Sequence, residues 1–303
     1  MSPVRIGIGL PAAVPGADMT TLGRWAADSE QAGFAAVGVI DRLVYDNLDP
    51  LIALAAAAAR TRRVELVTTV LSVGWRNHPV LVAKQLASVE QISGGRLTAG
   101  LGLGGWPEDY AASQVPLEGK AGSWASTMAA MRQVWAGTLR GKGGPTPRLP
   151  EGRPALLFGG LVPPAYRRAA TEGQGWVAPL FGLPALQQGA AGVREAWAAA
   201  GRPGQPRIAT GRYFSLGEDA DAVADDYIRH YYGDDYFAAA RADTLTTAQR
   251  LRAELAALEA AGTTDVLLYP ASSRLEQIGL LARALREAGF PPPGGRPPER
   301  SAR

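Results

Sequence analysis

Short apolar runs rich in Val, Ile and Leu alternate with longer amphipathic segments along almost the whole chain, and this rhythm most constrains the fold. Eight runs read as buried strands: Val4 to Leu10, Ala35 to Ile40, Val64 to Leu71, Leu97 to Gly102, Ala155 to Phe158, Gly175 to Ala178, Arg207 to Leu216 and Asp265 to Tyr269. Helical patterns lie at Thr20 to Gln31, Pro50 to Ala59, Val80 to Gln91, Ser123 to Trp135, Pro164 to Glu172, Pro184 to Ala200, Asp219 to Tyr232, Thr247 to Ala261 and Arg274 to Ala288. Glycine closes several of them, as in Ala32-Gly33-Phe34, Ala261-Gly262-Thr263 and Ala288-Gly289-Phe290. Alternation without a linker predicts one (β/α)8 TIM barrel over residues 1–290, in preference to two doubly wound sheets. The Pro/Gly/Arg-rich stretch 291–303 cannot bury apolar surface and is expected to be a disordered tail.

Composition removes several functions. The net charge is +3 and the arginines are scattered, so no nucleic-acid partner is expected. There are no cysteines, which excludes disulfides, thiolate nucleophiles and thiolate metal sites. Of the two histidines only His78 follows a strand, too few for a metal-dependent hydrolase, and no metal is expected. The N-terminus runs directly into a strand without a signal-peptide core, and the apolar run Leu51 to Ala59 is too short to span a bilayer. A cytoplasmic protein without a membrane partner is the expectation.

In a barrel the loops after the strands carry the site. The stretch Gly100-Leu101-Gly102-Leu103-Gly104-Gly105-Trp106 removes side chains from a strand end. Such glycines either relieve crowding inside the barrel or let a flat cofactor approach the backbone. A long polar connection, Trp106 to Gly122, follows as a lid candidate, and Ala136 to Pro154 is a second interruption. Tyr45, Trp75, Trp106 and Tyr110 fall in post-strand loops where aromatics wall a pocket for a small-molecule substrate. Asp41 and Arg42 sit just past the second strand, as a reactive pair or a strand-end ion pair. Arg42 stays protonated, so its roles are an anion clamp or a charge offset. His78, in Asn77-His78-Pro79, is a candidate proton shuttle or a helix-entry residue. His230 lies in a helical stretch expected to serve packing or a subunit surface.

Taken in order, several segments resemble the luciferase-like flavin and deazaflavin oxidoreductases. They are Gly33-Phe34 and Gly38-Val39-Ile40-Asp41-Arg42, Asp49-Pro50-Leu51, Val67-Thr68-Thr69-Val70-Leu71, Asn77-His78-Pro79-Val80, Leu86 to Gly95, Gly100-Leu101-Gly102, Gly159-Gly160 and Gly175-Trp176. The resemblance covers Val4 to about Ala288. It implies a flavin-type ring at the C-terminal strand ends, backed by a bulge at Val70-Leu71 with a non-proline cis peptide near Thr69-Val70. It also implies cofactor contacts from Gly102, Gly104, Gly105 and Gly175-Trp176, with a phosphate turn at Gly159-Gly160. This chain departs from the family pattern at Leu161-Val162, where small hydroxyl residues are usual, and at Gln174, where aspartate is common. A glutamate proton donor that deazaflavin relatives place near Gly105 is absent, with Glu108 or Asp109 as the substitutes.

The resemblance implies an oxidoreductase. Compactness favours the deazaflavin coenzyme F-420 and hydride transfer. FMN with monooxygenation, fed by a partner flavin or deazaflavin reductase, is the alternative, and a non-catalytic flavin-binding barrel is the third reading. Relatives pack barrel helices into homodimers, so a homodimer is expected.

Overall fold

The computed structural model describes residues 3–146, 148–179 and 182–292. Eight parallel strands close into a barrel: β1 (Arg5–Gly9), β2 (Ala36–Val39), β3 (Glu65–Ser72), β4 (Leu97–Gly102), β5 (Ala155–Gly159), β6 (Gly175–Val177), β7 (Arg207–Phe214) and β8 (Asp265–Pro270). Each strand pairs with its sequence neighbours, and β8 closes on β1 with Arg5 opposite Asp265. All eight expected strands are present, their ends within two residues of the sequence reading. The barrel is a (β/α)8 fold, and the expected tail lies almost entirely outside the described residues.

Ten helices surround it among the described residues: α1 (Leu22–Gln31), α2 (Pro50–Arg60), α3 (Pro79–Ser93), α4 (Pro107–Ala112), α5 (Trp124–Trp135), α6 (Pro163–Glu172), α7 (Leu183–Ala199), α8 (Ala220–Ala242), α9 (Ala248–Ala260) and α10 (Glu276–Ala288). Local chemistry sets their starts. Asp49 accepts the Leu51 and Ile52 N–H groups ahead of α2, with Pro50 in the first turn where no donor is missed. Between strands and helices lies an aromatic and aliphatic layer anchored by Trp25, Trp135 and Trp176, each fully buried. Their indole N–H groups donate to the carbonyls of Gly9, Ala83 and Gly160.

The N-terminal end of the barrel is closed by charge. Glu65 and Asp265, both nearly inaccessible, bind Arg5 and Arg207 across the interior at 2.7 to 2.9 Å. The Thr98 hydroxyl also donates to Glu65. Burial alone would raise the Glu65 carboxyl, but Arg207 and Arg5 more than offset it and hold it well below the usual range.

Two insertions differ from the sequence reading. The connection expected as a lid loop contains α4, begun by Pro107 with Glu108 and Asp109 in its first turn. The helix expected to stop at Tyr232 continues to Ala242, broken at Gly233 (φ 67°, ψ −179°). Arg241 pairs with Asp225 and Asp221. In a straight helix residues 20 apart would lie about 30 Å apart. The chain therefore reverses at Gly233, and α8 is a two-armed helical hairpin. Its entry and exit meet at the end of β7, where Leu245 bridges Phe214.

Candidate active site

A cavity of about 640 Å³ opens at the C-terminal end of the barrel, within the range of small-molecule sites. Strand ends form its floor: Ile40 and Asp41 after β2, Thr69, Val70 and Ser72 on β3, Gly159 and Gly160 at β5, Val177 and Ala178 at β6, and Tyr269 on β8. Over it hang Gly104 to Glu108, leading into α4, and Tyr231, Tyr232 and Tyr236 near the tip of the α8 hairpin.

The floor is shaped by an irregular β3. The Thr69–Val70 peptide is cis, and the pairing with β4 shifts register between Thr68 and Leu71. Val70 packs against Leu157, Val177 and Ala209 in the barrel interior. The glycines of β4 and its loop divide into two roles. A Cβ on Gly100 would fall 2.1 Å from the Thr68 carbonyl oxygen, and one on Gly102 would fall 2.5 Å from Val70. These two clear space for the bulge, and neither lines the cavity. Gly104 and Gly105 do line it, and a Cβ on Gly105 would meet nothing within 4 Å.

Asp41 lines the floor with its backbone, and its carboxyl is enclosed. Its Oδ2 accepts the Ser72 N–H at 2.7 Å and its Oδ1 an Arg76 N–H at 3.0 Å. Arg76 also reaches Asp49 at 3.5 Å. Burial pushes the carboxyl up to about 6, against the pull of Arg76 and the Ser72 amide. Opposite, the Tyr269 hydroxyl hydrogen-bonds Thr69 Oγ1, and burial keeps that phenol protonated.

Several sequence-singled residues sit beside the cavity instead of in it. Arg42 lies behind the wall, its Nε 3.3 Å from Asp109, its Nη2 on Glu108 and its guanidinium 3.9 Å above the Trp106 ring. It fastens α4 to the end of β2, and the strand-end pair expected between the neighbours Asp41 and Arg42 does not form, because Arg42 turns to Glu108 and Asp109 while Asp41 turns to Arg76. Tyr45 packs against Tyr231 with ring centroids 4.8 Å apart. Trp75 is buried beneath Arg76, and Tyr110 donates to the Leu103 carbonyl from a buried position. His78 is exposed, and its Nδ1 accepts the Leu81 N–H at 3.2 Å as the cap of α3, the helix-entry reading. Leu71 belongs to the core. A Cβ on Gly175 would strike the Arg207 backbone. Trp176 packs against Tyr166 and donates its indole N–H to the Gly160 carbonyl at 2.9 Å, and it is not among the cavity-lining residues.

Sequence reasoning passed over the hairpin tyrosines, Tyr269, Ser72 and Arg76. His230, expected as packing or a subunit surface, is exposed with its ring 5.4 Å from Tyr45. The doublet Tyr231-Tyr232 immediately before a glycine was the available signal.

The cavity suits a flat group, with bare backbone at Gly104, Gly105, Gly159 and Gly160 and the Val70 side chain between them. Its provision for an anion is narrower. Among the described residues no Lys, Arg or His lines it. Pro163 and Pro164 lack N–H groups and the Ala165 N–H is taken by Val162, so the start of α6 offers little. A phosphate would rest on the Gly159-Gly160 backbone.

A family model described as luciferase-like monooxygenase matches residues 2–289. An uncharacterised protein of Mycobacterium tuberculosis is 28% identical over 173 residues, 54% of this chain and 60% of that protein. The match thus spans less than two thirds of that curated relative. Among solved structures, the monooxygenase RslO1 from Streptomyces bottropensis is similar with a TM-score of 0.77 and 24% identity, covering 94% of this chain and 98% of that one. An F-420-dependent secondary alcohol dehydrogenase, in complex with an F-420–acetone adduct, has a TM-score of 0.73 at 17% identity, covering 95% and 99%. At these identities the two structures share the barrel. No helix among the described residues is long and apolar enough to cross a membrane.

Proposed function

Given that this chain belongs to the luciferase-like monooxygenase family, we propose that it is a deazaflavin-dependent oxidoreductase that interconverts a hydroxyl and a carbonyl group on a small organic substrate. One observation carries the reading: Asp41, whose backbone lines the cavity floor, keeps its enclosed carboxyl at about 6 against the pull of Arg76 and the Ser72 amide, an acid beside the site with a proton to give or take near neutral pH. Moving a hydride to or from carbon requires a partner for the hydroxyl proton, and a group poised near the working pH serves best.

Val70, Gly104, Gly105, Gly159 and Gly160 would hold the cofactor ring, and the Gly159-Gly160 backbone its phosphate. When bound, a deazaflavin supplies two-electron hydride chemistry without oxygen reactivity. The rest belongs to the chain. Asp41 holds the proton for that exchange beside the cavity, with Arg76 and the Ser72 amide fixing the carboxylate plane. Tyr269, kept protonated, hydrogen-bonds Thr69 at the floor. Trp106 and the hairpin tyrosines exclude water from above.

A second reading is an FMN-dependent monooxygenase supplied by a partner reductase. The overall similarity to the monooxygenase RslO1 favours it. Titration of the purified protein with F-420 and, separately, FMN tests both. Binding of F-420 alone, with alcohol oxidation that rises through pH about 6 and loses that limb in Asp41→Asn, is the expected result. Binding of FMN alone, with oxygen-dependent turnover, would replace the first reading by the second.

A further inference from the structure

The walls of the cavity carry information about what enters it. We propose that its substrate is an uncharged planar aromatic compound bearing a hydroxyl or carbonyl group, and that carboxylated or phosphorylated analogues are rejected. This rests on the cavity being the substrate site proposed above.

The case against an anion is one of charge. Glu108 lines the cavity with an exposed side chain, Asp41 lines it with backbone while its carboxyl is enclosed, and among the described residues no cationic side chain lines it. Three cations carried by the flanking loops are already engaged. Arg42 spends its edges on Glu108 and Asp109 and its face on Trp106. Arg76 lies between Asp41 and Asp49, and Lys120 donates to the Gly104 carbonyl at 2.8 Å. With the Gly159-Gly160 backbone given to the cofactor phosphate, a carboxylate on the substrate would leave water and find no counter-charge among the lining side chains, which opposes binding.

The case for a flat aromatic is one of shape. Trp106 and Tyr232, from different insertions, have ring centroids 6.0 Å apart at 44°, and Trp106 and Tyr231 6.1 Å apart at 83°, so they form one aromatic cluster that presents both ring edges and ring faces. Tyr236, more than half exposed, extends it past Gly233. The opposing side, glycine backbone with the small side chains of Val70, Val177 and Ala178, is the floor given to the cofactor ring, so the substrate lies between that ring and the overhang. An aromatic overhang above a floor stripped of bulk makes a slot, and ring faces reward a π-system over a saturated ring of equal size. The hydroxyls of Tyr269 and Thr69 then form the polar end that meets the one substituent. Arg42 fixes the slot because it holds Trp106 and α4 at the end of β2.

The test is calorimetric titration of the full-length protein at pH 7.5, alone and saturated with F-420 or FMN, using three probes. These are 2-naphthol, 2-naphthoate and the saturated decahydro-2-naphthol. The expected result is that 2-naphthol binds about tenfold or more tighter than either of the others. Tyr236→Leu, at an exposed position, and Tyr232→Leu should each weaken 2-naphthol by about fivefold or more, with circular dichroism unchanged. A smaller advantage over 2-naphthoate or the saturated alcohol overturns the proposal. So do failure of 2-naphthol to bind in any state and undiminished binding in both variants. If neither cofactor binds but 2-naphthol does with the expected preference, the oxidoreductase reading fails and the slot stands. If a cofactor binds and 2-naphthol does not, only the slot fails.

Discussion

Replacing Glu65 by Gln tests the charge network that closes the N-terminal end of the barrel. The carboxylate accepts from Arg5, Arg207 and Thr98 at an almost inaccessible position. The variant keeps the shape but leaves two guanidinium groups sharing Asp265 alone. Breaking a buried pair by removing one partner costs about 3–5 kcal/mol. Here the side chains of Arg5 and Arg207 are 28% and 22% exposed, so water recovers part of that loss, and about 2–3 kcal/mol is expected. At ~2.1 cal/mol/K of unfolding entropy per residue, a chain this long should then melt about 3–5 °C lower at pH 7. The pH dependence supplies the sharper check. Because the folded carboxyl is held below its ordinary value, its contribution is complete above the unfolded pKa and is lost as pH falls toward the folded one. Urea denaturation at pH 7, 5 and 3.5 should therefore show the gap between the native protein and the variant constant from 7 to 5. It should be smaller by about 1 kcal/mol at 3.5. A variant as stable as the native protein at pH 7, or a gap that widens on acidification, refutes the account.

Asp41→Asn should lower turnover about 10²–10⁴-fold while leaving cofactor affinity within a few-fold, measured by single-turnover kinetics and titration; full turnover would remove Asp41 from the chemistry. Trp176→Phe deletes the hydrogen bond to the Gly160 carbonyl and should cost about 1 kcal/mol of stability. It should also weaken cofactor binding several-fold by loosening the Gly159-Gly160 turn, and unchanged affinity would count against a brace. His78→Ala removes a helix cap and should cost about 0.5–1 kcal/mol with kcat/KM unaltered. A large drop in kcat/KM would return the imidazole to the reaction.

The strands were legible because a strand buried on both faces leaves a continuous apolar run, which little else in a soluble chain mimics. The site was legible only in outline. Gly100 and Gly104 look alike in sequence, yet what each clears is set by Thr68 and Ser72, some thirty residues earlier. His78 had two readings that differ only in where the imidazole points. The helix at Pro107 was hidden by its polarity, although a proline followed by two acids is a helix-start signal. The tyrosine overhang was missed for a deeper reason. Tyr231 and Tyr232 face the cavity because the chain reverses at Gly233, and periodicity reports which face of a helix is apolar without saying what that face will cover.

That reversal also bears on how such a protein changes over generations. The hairpin leaves β7 and returns to it, with the Leu245 N–H on the Tyr213 carbonyl and the Ser215 N–H on the Leu245 carbonyl. Gln277 of α10 clasps Leu216 at the entrance through both its amide atoms. Both feet are pinned at one place, so the arms can lengthen, shorten or trade residues at the tip for little more than loop-closure entropy, which grows only slowly with length. The barrel's register need not adjust. Selection can therefore work on the aromatic roof as an exchangeable cassette while the acid, the glycine floor and the closed sheet beneath it are inherited intact.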